Sequence, residues 1–138
     1  MILEAQNLTR RFAAGSYGLA GLNLQLSADA FILISGHNGS GKSLLLRHLV
    51  GLEKPDAGRI TLDGRPLETC LPELRRRLAL VFQEPEHQIL GVTVAEDLAY
   101  GPRCSRRKPA EYQTDVAAAL QACGLGGMEQ HLTSALSG

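Results

Sequence analysis

F-I-L-I-S-G-H-N-G-S-G-K-S-L-L-L-R-H-L-V, residues 31–50, divides into three parts of different character. Phe31 to Ile34 is a short continuous apolar run, the pattern of a strand buried on both faces of a parallel sheet. Gly36 to Ser43 follows the P-loop pattern of Gly, four residues, then Gly-Lys-Ser. Beyond it, Leu45, Leu49 and Leu52 recur at a spacing that fits one helical face. Average residue frequencies produce the central pattern by accident in a chain of this length about once in two hundred, and the two flanks lower that chance. Strand, glycine loop and helix in this order predict an α/β fold built around a phosphate site.

The chemistry of the loop follows from what several adjacent negative charges demand. Gly36, Gly39 and Gly41 let successive backbone N–H groups turn inward. A helix beginning near Lys42 adds unpaired N–H groups and the positive end of its dipole. Lys42 is placed to reach β- and γ-phosphates, and the Ser43 hydroxyl suits Mg²⁺, a hard cation that prefers oxygen donors. The competing reading is a glycine-rich turn with an exposed lysine, and both flanks speak against it.

Composition excludes several other classes. The chain has 138 residues, enough for one domain or part of one, and its 14 basic residues balance its 14 acidic ones. No global field therefore points to nucleic acid. Basic runs at Arg10–Arg11, Arg75–Arg77 and Arg103–Lys108 lack interleaved aromatics and read as solvated faces. Cys70, Cys104 and Cys123 are odd in number and widely spaced, against a disulfide framework or a zinc ribbon and in favour of a reducing cytosol. His37, His48, His87 and His131 show no ligand spacing. No signal peptide is visible, and no apolar run approaches the roughly 18 residues of a membrane span, so any membrane role is expected to be peripheral.

Along the chain, Met1 to Asn7 predicts a strand with Leu3 and Ala5 on one face, leading into Leu8 to Phe12 and a loop over 13–18. Leu22, Leu24 and Leu26 alternate with Asn23 and Gln25, a one-sided strand suited to an antiparallel sheet. Gly51 and Pro55 close the helix after the loop. Arg59 to Leu62 is a short strand ending at an Asp63-Gly64 turn, and Pro72 to Arg77 is one helical turn. Leu78 to Phe82 is a second run of buried-strand type, and Glu84-Pro85-Glu86 breaks it into a loop. Thr93 and Glu96 form a capping box for a helix expected to end at Gly101-Pro102. Pro109 opens a longer helix with Val116, Ala119, Leu120 and Cys123 on one face and Gly124 at its end.

This order of features resembles the ATP-binding cassette (ABC) family, the nucleotide-binding subunits of ABC transporters. Phe12 lies where that family places an aromatic that stacks on adenine, with Tyr17 as the runner-up. Gly36 to Ser43 is the P-loop. Gln83, after Leu80-Val81-Phe82, looks like the Q-loop glutamine that senses Mg²⁺ and the γ-phosphate. Leu136-Ser137-Gly138 looks like the opening of the L-S-G-G-Q signature, which acts in trans on ATP held by a second cassette. Val81 to Pro102, V-F-Q-E-P-E-H-Q-I-L-G-V-T-V-A-E-D-L-A-Y-G-P, is similar to the energy-coupling-factor branch and the cobalt and nickel import ATPases, with Gln88 as the second glutamine.

The resemblance implies a P-loop NTPase fold with an N-terminal antiparallel β subdomain and a helical subdomain. It divides residues 1–82, the β subdomain with the P-loop core, from 83–138, the Q-loop and helical part. It further implies an ATP site made of Phe12, Gly36, His37, Asn38, Gly39, Ser40, Gly41, Lys42, Ser43 and Leu44, with Mg²⁺ at Ser43 and Gln83 and the signature at Ser137 and Gly138. The implied partners are transmembrane subunits and a second cassette, with no nucleic acid, at the cytoplasmic face of the cell membrane. The implied cargo is a metal ion or a vitamin.

Two departures shape the expectation. Leu44 stands where the family commonly has Thr, which removes a hydroxyl but keeps the backbone N–H. The family's Walker B Asp-Glu pair and switch histidine follow the signature and are not among these 138 residues, so a truncated cassette is expected, with a core sheet incomplete on its C-terminal side, Phe31 to Ile34 and Leu78 to Phe82 unpaired with each other, and exposed apolar edges that invite aggregation. Such a chain binds ATP better than it hydrolyses it, because the carboxylate that orients the attacking water is missing. The alternatives are a non-enzymatic nucleotide-binding fragment and a P-loop small-molecule kinase. The kinase reading predicts a lid with arginines and no signature.

Overall fold

The computed structural model describes residues 1–13 and 15–136. The chain falls into two compact units, Met1–Leu80 and a second that begins at Val81.

The first unit is built on a four-stranded antiparallel sheet in the order β2-β1-β3-β4. Its strands are β1 (Ile2–Arg11), β2 (Tyr17–Ser27), β3 (Ala57–Leu62) and β4 (Arg65–Pro66). In β1 the alternation places Leu3 and Ala5 on the buried face, and strict period two would place Asn7 there next. A register shift between Ala5 and Leu8, with Asn7 at φ +51°, inserts one residue and brings Leu8 inward instead. Leu22, Leu24 and Leu26 alternate half-buried with exposed neighbours along β2, as their spacing predicts. The helices α1 (Lys42–Leu49) and α2 (Leu71–Arg77) cover the sheet. Leu45 and Leu49 of α1 and Leu74 of α2 join Leu3, Leu8, Ile60 and Leu62 in one core. Leu52 lies past the end of α1 and is exposed, so it does not extend that buried face.

The β3–β4 turn is tied to both ends of this unit. Asp63 (φ +49°) and Gly64 (φ +79°) have the left-handed backbone of a tight hairpin turn. Asp63 Oδ1 accepts from Ile2 N at 2.7 Å, and Arg77 donates to Asp63 Oδ2 at 2.9 Å. The Ile2 backbone N–H, and after it Arg77, hold the Asp63 carboxyl below its ordinary range. Glu73 is lowered likewise, first by hydrogen bonding to Arg65 and then to Arg77.

Two expected strands do not form. Phe31 to Ile34 and Leu78 to Phe82 carry no strand, and Phe31 is 96 % and Val81 74 % exposed. A strand exists only where a neighbouring backbone pairs with it, and no described strand pairs with either segment. The core sheet is accordingly incomplete.

The second unit is helical, with α3 (Val94–Cys104) and α4 (Pro109–Ala122). Thr93 Oγ1 accepts from Glu96 N while Glu96 Oε2 accepts from Thr93 N, the reciprocal box that the sequence predicts. The helix does not stop at Gly101-Pro102 but runs on to Cys104. A residue before proline is forced out of the helical region partly by its own Cβ, and Gly101 has none. On α4, Val116, Ala119 and Leu120 are turned inward with Tyr112, whereas Cys123 is exposed, so the apolar face is one residue shorter than its spacing suggests. No described helix is long and apolar enough to cross a membrane.

Candidate functional site

The glycine loop lies in the first unit and leads into α1. Gly41 has φ +88° and is the N-cap of α1, and a Cβ there would meet the Gly18 carbonyl oxygen at 2.4 Å. Only glycine fits that corner. The loop is held by Ser40 N donating to His37 O at 3.2 Å, and the first helical turn by Leu45 N donating to Gly41 O at 2.8 Å. Lys42 folds its side chain back into the loop, where Nζ donates to Gly36 O at 2.8 Å and to His37 O at 2.9 Å. The single cation of the stretch thus stands inside the ring of backbone that Gly36 to Gly41 describes. Ser43, the next residue, is exposed on the first turn of α1, where backbone N–H groups have no intrahelical partner.

Phe12 follows the end of β1 and stands half exposed beside this helix. A Cβ on Gly18 would lie 2.9 Å from the Phe12 ring and 2.4 Å from Leu44 Cδ2, so the ring and Leu44 both rest against the same glycine of β2. Leu44 therefore has a packing role in addition to its backbone N–H. Tyr17, the alternative aromatic, carries the Arg11 guanidinium over its ring at 5.3 Å, a cation–π contact that covers one face.

One helical turn beyond Leu44, His48 is fully buried, and its Nδ1 lies 2.8 Å from Leu44 O. With a carbonyl as partner, Nδ1 carries the proton. A cavity of about 30 Å³ beside it is lined by Gly51, Pro55, Ile60, Leu67 and Leu71. Its spacing from Leu45 and Leu49 puts it on the buried face of α1, a signal that its polar character masked.

Gln83 belongs to the second unit and is exposed, in a segment that has the composition of a strand end but no strand before it. Its loop is braced from within. Gln88 Oε1 accepts from Phe82 N at 2.8 Å, and the short 3₁₀ turn Pro85–Gln88 carries a His87–Glu84 pair at 2.9 Å. Asp97 Oδ1 then accepts from Leu90 N at 2.7 Å and Gly91 N at 2.9 Å, closing the loop onto α3. Glu96 is thus spent on the helix cap that its spacing from Thr93 predicts, and Asp97 on loop anchoring, a use that its sequence position did not reveal. Leu136 is described, whereas Ser137 and Gly138 lie outside the described residues. Among the described residues no group of three or more His, Cys, Asp or Glu side chains is arranged to hold a metal ion.

Comparison with known proteins gives a consistent picture. Residues 19–138 match the family model described as ABC transporter. The chain is 40 % identical over 124 residues to the cobalt import ATP-binding protein CbiO of Syntrophus aciditrophicus, covering 87 % of this chain and 44 % of that protein. It is 34 % identical over 140 residues to the energy-coupling factor transporter ATP-binding protein EcfA of Methanothermobacter thermautotrophicus, covering 99 % of this chain and 45 % of the relative. The solved structure of CbiO1 from Clostridium perfringens, part of the ABC transporter complex CbiONQ, superposes with a TM-score of 0.82 at 29 % identity, over 98 % of this chain and 55 % of that one. The chain spans less than half the length of the two curated relatives.

Proposed function

Because the chain belongs to the ABC transporter family and has the fold of its P-loop ATPases, we propose that it binds MgATP as the energy-coupling component of an importer. The observation that carries this reading is the position of Lys42, whose ammonium is drawn onto the Gly36 and His37 carbonyls at the mouth of a helix N-terminus. An ammonium there, beside backbone N–H groups, favours a polyanion over any neutral ligand. The residues fit the nucleotide: Lys42 holds the phosphates, the backbone of Gly36 to Leu44 surrounds them, and Ser43 offers an oxygen to Mg²⁺. Phe12, half exposed against Gly18 and Leu44, offers its free face to the adenine. Gln83 contributes the oxygen that senses Mg²⁺, and Ser137 with Gly138 serves a nucleotide held by a second cassette.

When bound, ATP supplies the free energy that closes two cassettes on each other. The residues named above hold and orient it. The division of labour follows residues 1–82 for nucleotide and 83–138 for the helical and Q-loop part. Partners are the transmembrane subunits of the importer and a second cassette, and the site of action is the cytoplasmic face of the membrane, peripherally. The likeness to a protein named for cobalt import supports a metal ion as cargo, with a vitamin as the alternative.

Calorimetric titration with ATP, with and without Mg²⁺, tests the reading. Lys42→Ala is expected to weaken ATP binding about ten- to a hundredfold, the worth of one charge-assisted hydrogen bond to phosphate. An unchanged affinity in a folded variant would overturn the assignment of the loop. A phosphate-release assay on the same samples is expected to show binding without appreciable turnover. Sustained hydrolysis by the pure chain would overturn that expectation.

A further inference from the structure

Strand β1 outruns one of its neighbours at the end that leads to Phe12. Its last pair with β3 joins Thr9 to Ala57, so Arg10 and Arg11 continue with β2 on one side and no described strand on the other. An N–H left over at such an edge needs water or a side chain as its partner. Asp56, the residue before β3, supplies it. Its backbone N–H donates to Thr9 O at 2.9 Å, and its carboxylate reaches further along β1. Oδ2 accepts from Arg11 N at 2.7 Å, and Oδ1 accepts from Arg10 Nη1 at 2.9 Å. The Arg11 N–H, and after it the Arg10 guanidinium, hold the Asp56 carboxyl below its ordinary range.

Beyond Arg11 the chain turns back at once. Phe12 N donates to Ser16 O at 2.8 Å, and Gly15 N donates to Phe12 O at 2.9 Å, which returns the chain to β2. With the Phe12 ring half exposed, packing against Gly18 and Leu44 fixes only one side of it, and the backbone that enters the turn sets the rest. We infer that Asp56 is a positioning residue for the base end of the nucleotide: by holding the Arg11 peptide where β3 has no backbone to offer, it sets the face that Phe12 presents. Asp56 thus contributes to ATP affinity through adenine and not through the phosphates, a role that rests on the reading of Phe12 given above. The ion pair with Arg10 joins two partly exposed side chains and contributes little. The bond to the Arg11 N–H is the part that positions.

Titration of the purified chain with ATP and, separately, with inorganic triphosphate tests it. Asp56→Ala is expected to weaken ATP about five- to tenfold, part of the worth of one base stacked on an aromatic ring, and to leave triphosphate within about twofold. Asp56→Asn keeps an oxygen for the Arg11 N–H, and Arg10→Met removes only the ion pair, so both stay within about twofold of wild type for either ligand. In the double variant Phe12→Ala, Asp56→Ala, ATP binds as it does to Phe12→Ala alone, because the second substitution acts through a ring that is gone. Equal weakening of ATP and triphosphate by Asp56→Ala, full additivity in the double variant, or an unchanged ATP affinity in a folded Asp56→Ala would overturn the inference. Should Asp56→Ala fail to fold, Asp56→Glu keeps the charge and shifts the carboxylate by one methylene. The same loss for ATP alone is expected of it, and wild-type ATP affinity there would overturn the inference equally.

Hydrogen exchange without nucleotide separates the two levels. Asp56→Ala speeds the Arg11 amide directly and the Phe12 amide by transmission, each about tenfold, whereas Asp56→Asn leaves both near wild type. A Phe12 amide that does not respond to Asp56→Ala would overturn the positioning. A wild-type chain that binds neither ATP nor triphosphate removes the proposed function, and one that binds both but is indifferent to Phe12→Ala removes the adenine contact. Either result overturns the share of Asp56 in affinity, and the exchange alone then decides whether it positions Phe12.

Discussion

At the scale of single residues, the site depends on corners that admit one side chain only. Gly41 combines φ +88° with a carbonyl oxygen 2.4 Å from where a Cβ would stand. Gly41→Ala must distort either the loop or β2, and is expected to lower stability by at least about 2 kcal/mol through the left-handed backbone and the collision together. In a unit of this size that is a fall of roughly 10 °C in melting temperature, and nucleotide affinity falls with it. A calorimetric scan checks the first and an ATP titration the second. A melting temperature within 2 or 3 °C of wild type would show that the corner relaxes without cost. The turn itself was legible in the sequence, since the positive φ of Gly36, Gly39 and Gly41 is a local demand that their spacing states, whereas the close approach of Gly41 to the Gly18 carbonyl was not. Phe12 was less legible, since its placement against Gly18 and Leu44 depends on β2 and α1 coming together.

At the scale of elements, ion pairs fasten the edge of the first unit. Asp63 and Glu73 both have lowered folded-state carboxyl values, through the Ile2 N–H and the Arg65 guanidinium first and Arg77 second. A carboxyl held low in the folded state stabilises it above the unfolded value, and the contribution is lost as pH falls through the folded value. Stability is therefore expected to be flat near neutrality and to drop below the ordinary Asp value of 3.8. Asp63→Asn flattens that drop and lowers stability at pH 7, which urea melts at pH 7 and pH 3 measure. An equal acid-induced loss in the variant would remove Asp63 from the account.

The same scale shows where sequence reading stops. The capping box at Thr93 and Glu96 is local and was legible. The run through Pro102 was not, because the helix survives on a property of Gly101, the absence of a Cβ, that also marks helix ends. Phe31 to Ile34 and Leu78 to Phe82 read as strands from composition, but strand formation is a relation between two segments and composition describes one. The hold of Asp56 on the Arg11 N–H lay beyond reach for the same reason: the bond spans 45 residues and leaves no periodic trace.

At the scale of the whole molecule, the surface of the 138-residue chain is unusually apolar where those two segments run. Phe31 is 96 %, Leu33 81 % and Val81 74 % exposed, with Phe82 also at the surface. Extended apolar backbone without a paired neighbour is a template for association. The chain alone is expected to bind a hydrophobic dye and to associate with rising concentration, measured by light scattering. The double substitution Phe31→Ser, Leu33→Ser should reduce both signals and move the melting temperature by no more than about 2 °C, since side chains this exposed contribute little to folding. Scattering that is unaffected would place the associating surface elsewhere.

The ring of Phe12 offers one practical opening. The chain contains no tryptophan, and this ring stands half exposed at the rim of the loop, against Gly18 and Leu44. Phe12→Trp would therefore install a single indole whose emission, excited selectively over that of the three tyrosines, reports from one address. A spectral shift or quench on adding ATP, absent on adding inorganic triphosphate, would read the base separately from the phosphates. The position that nature filled with a silent ring is thus the place to put an optical gauge.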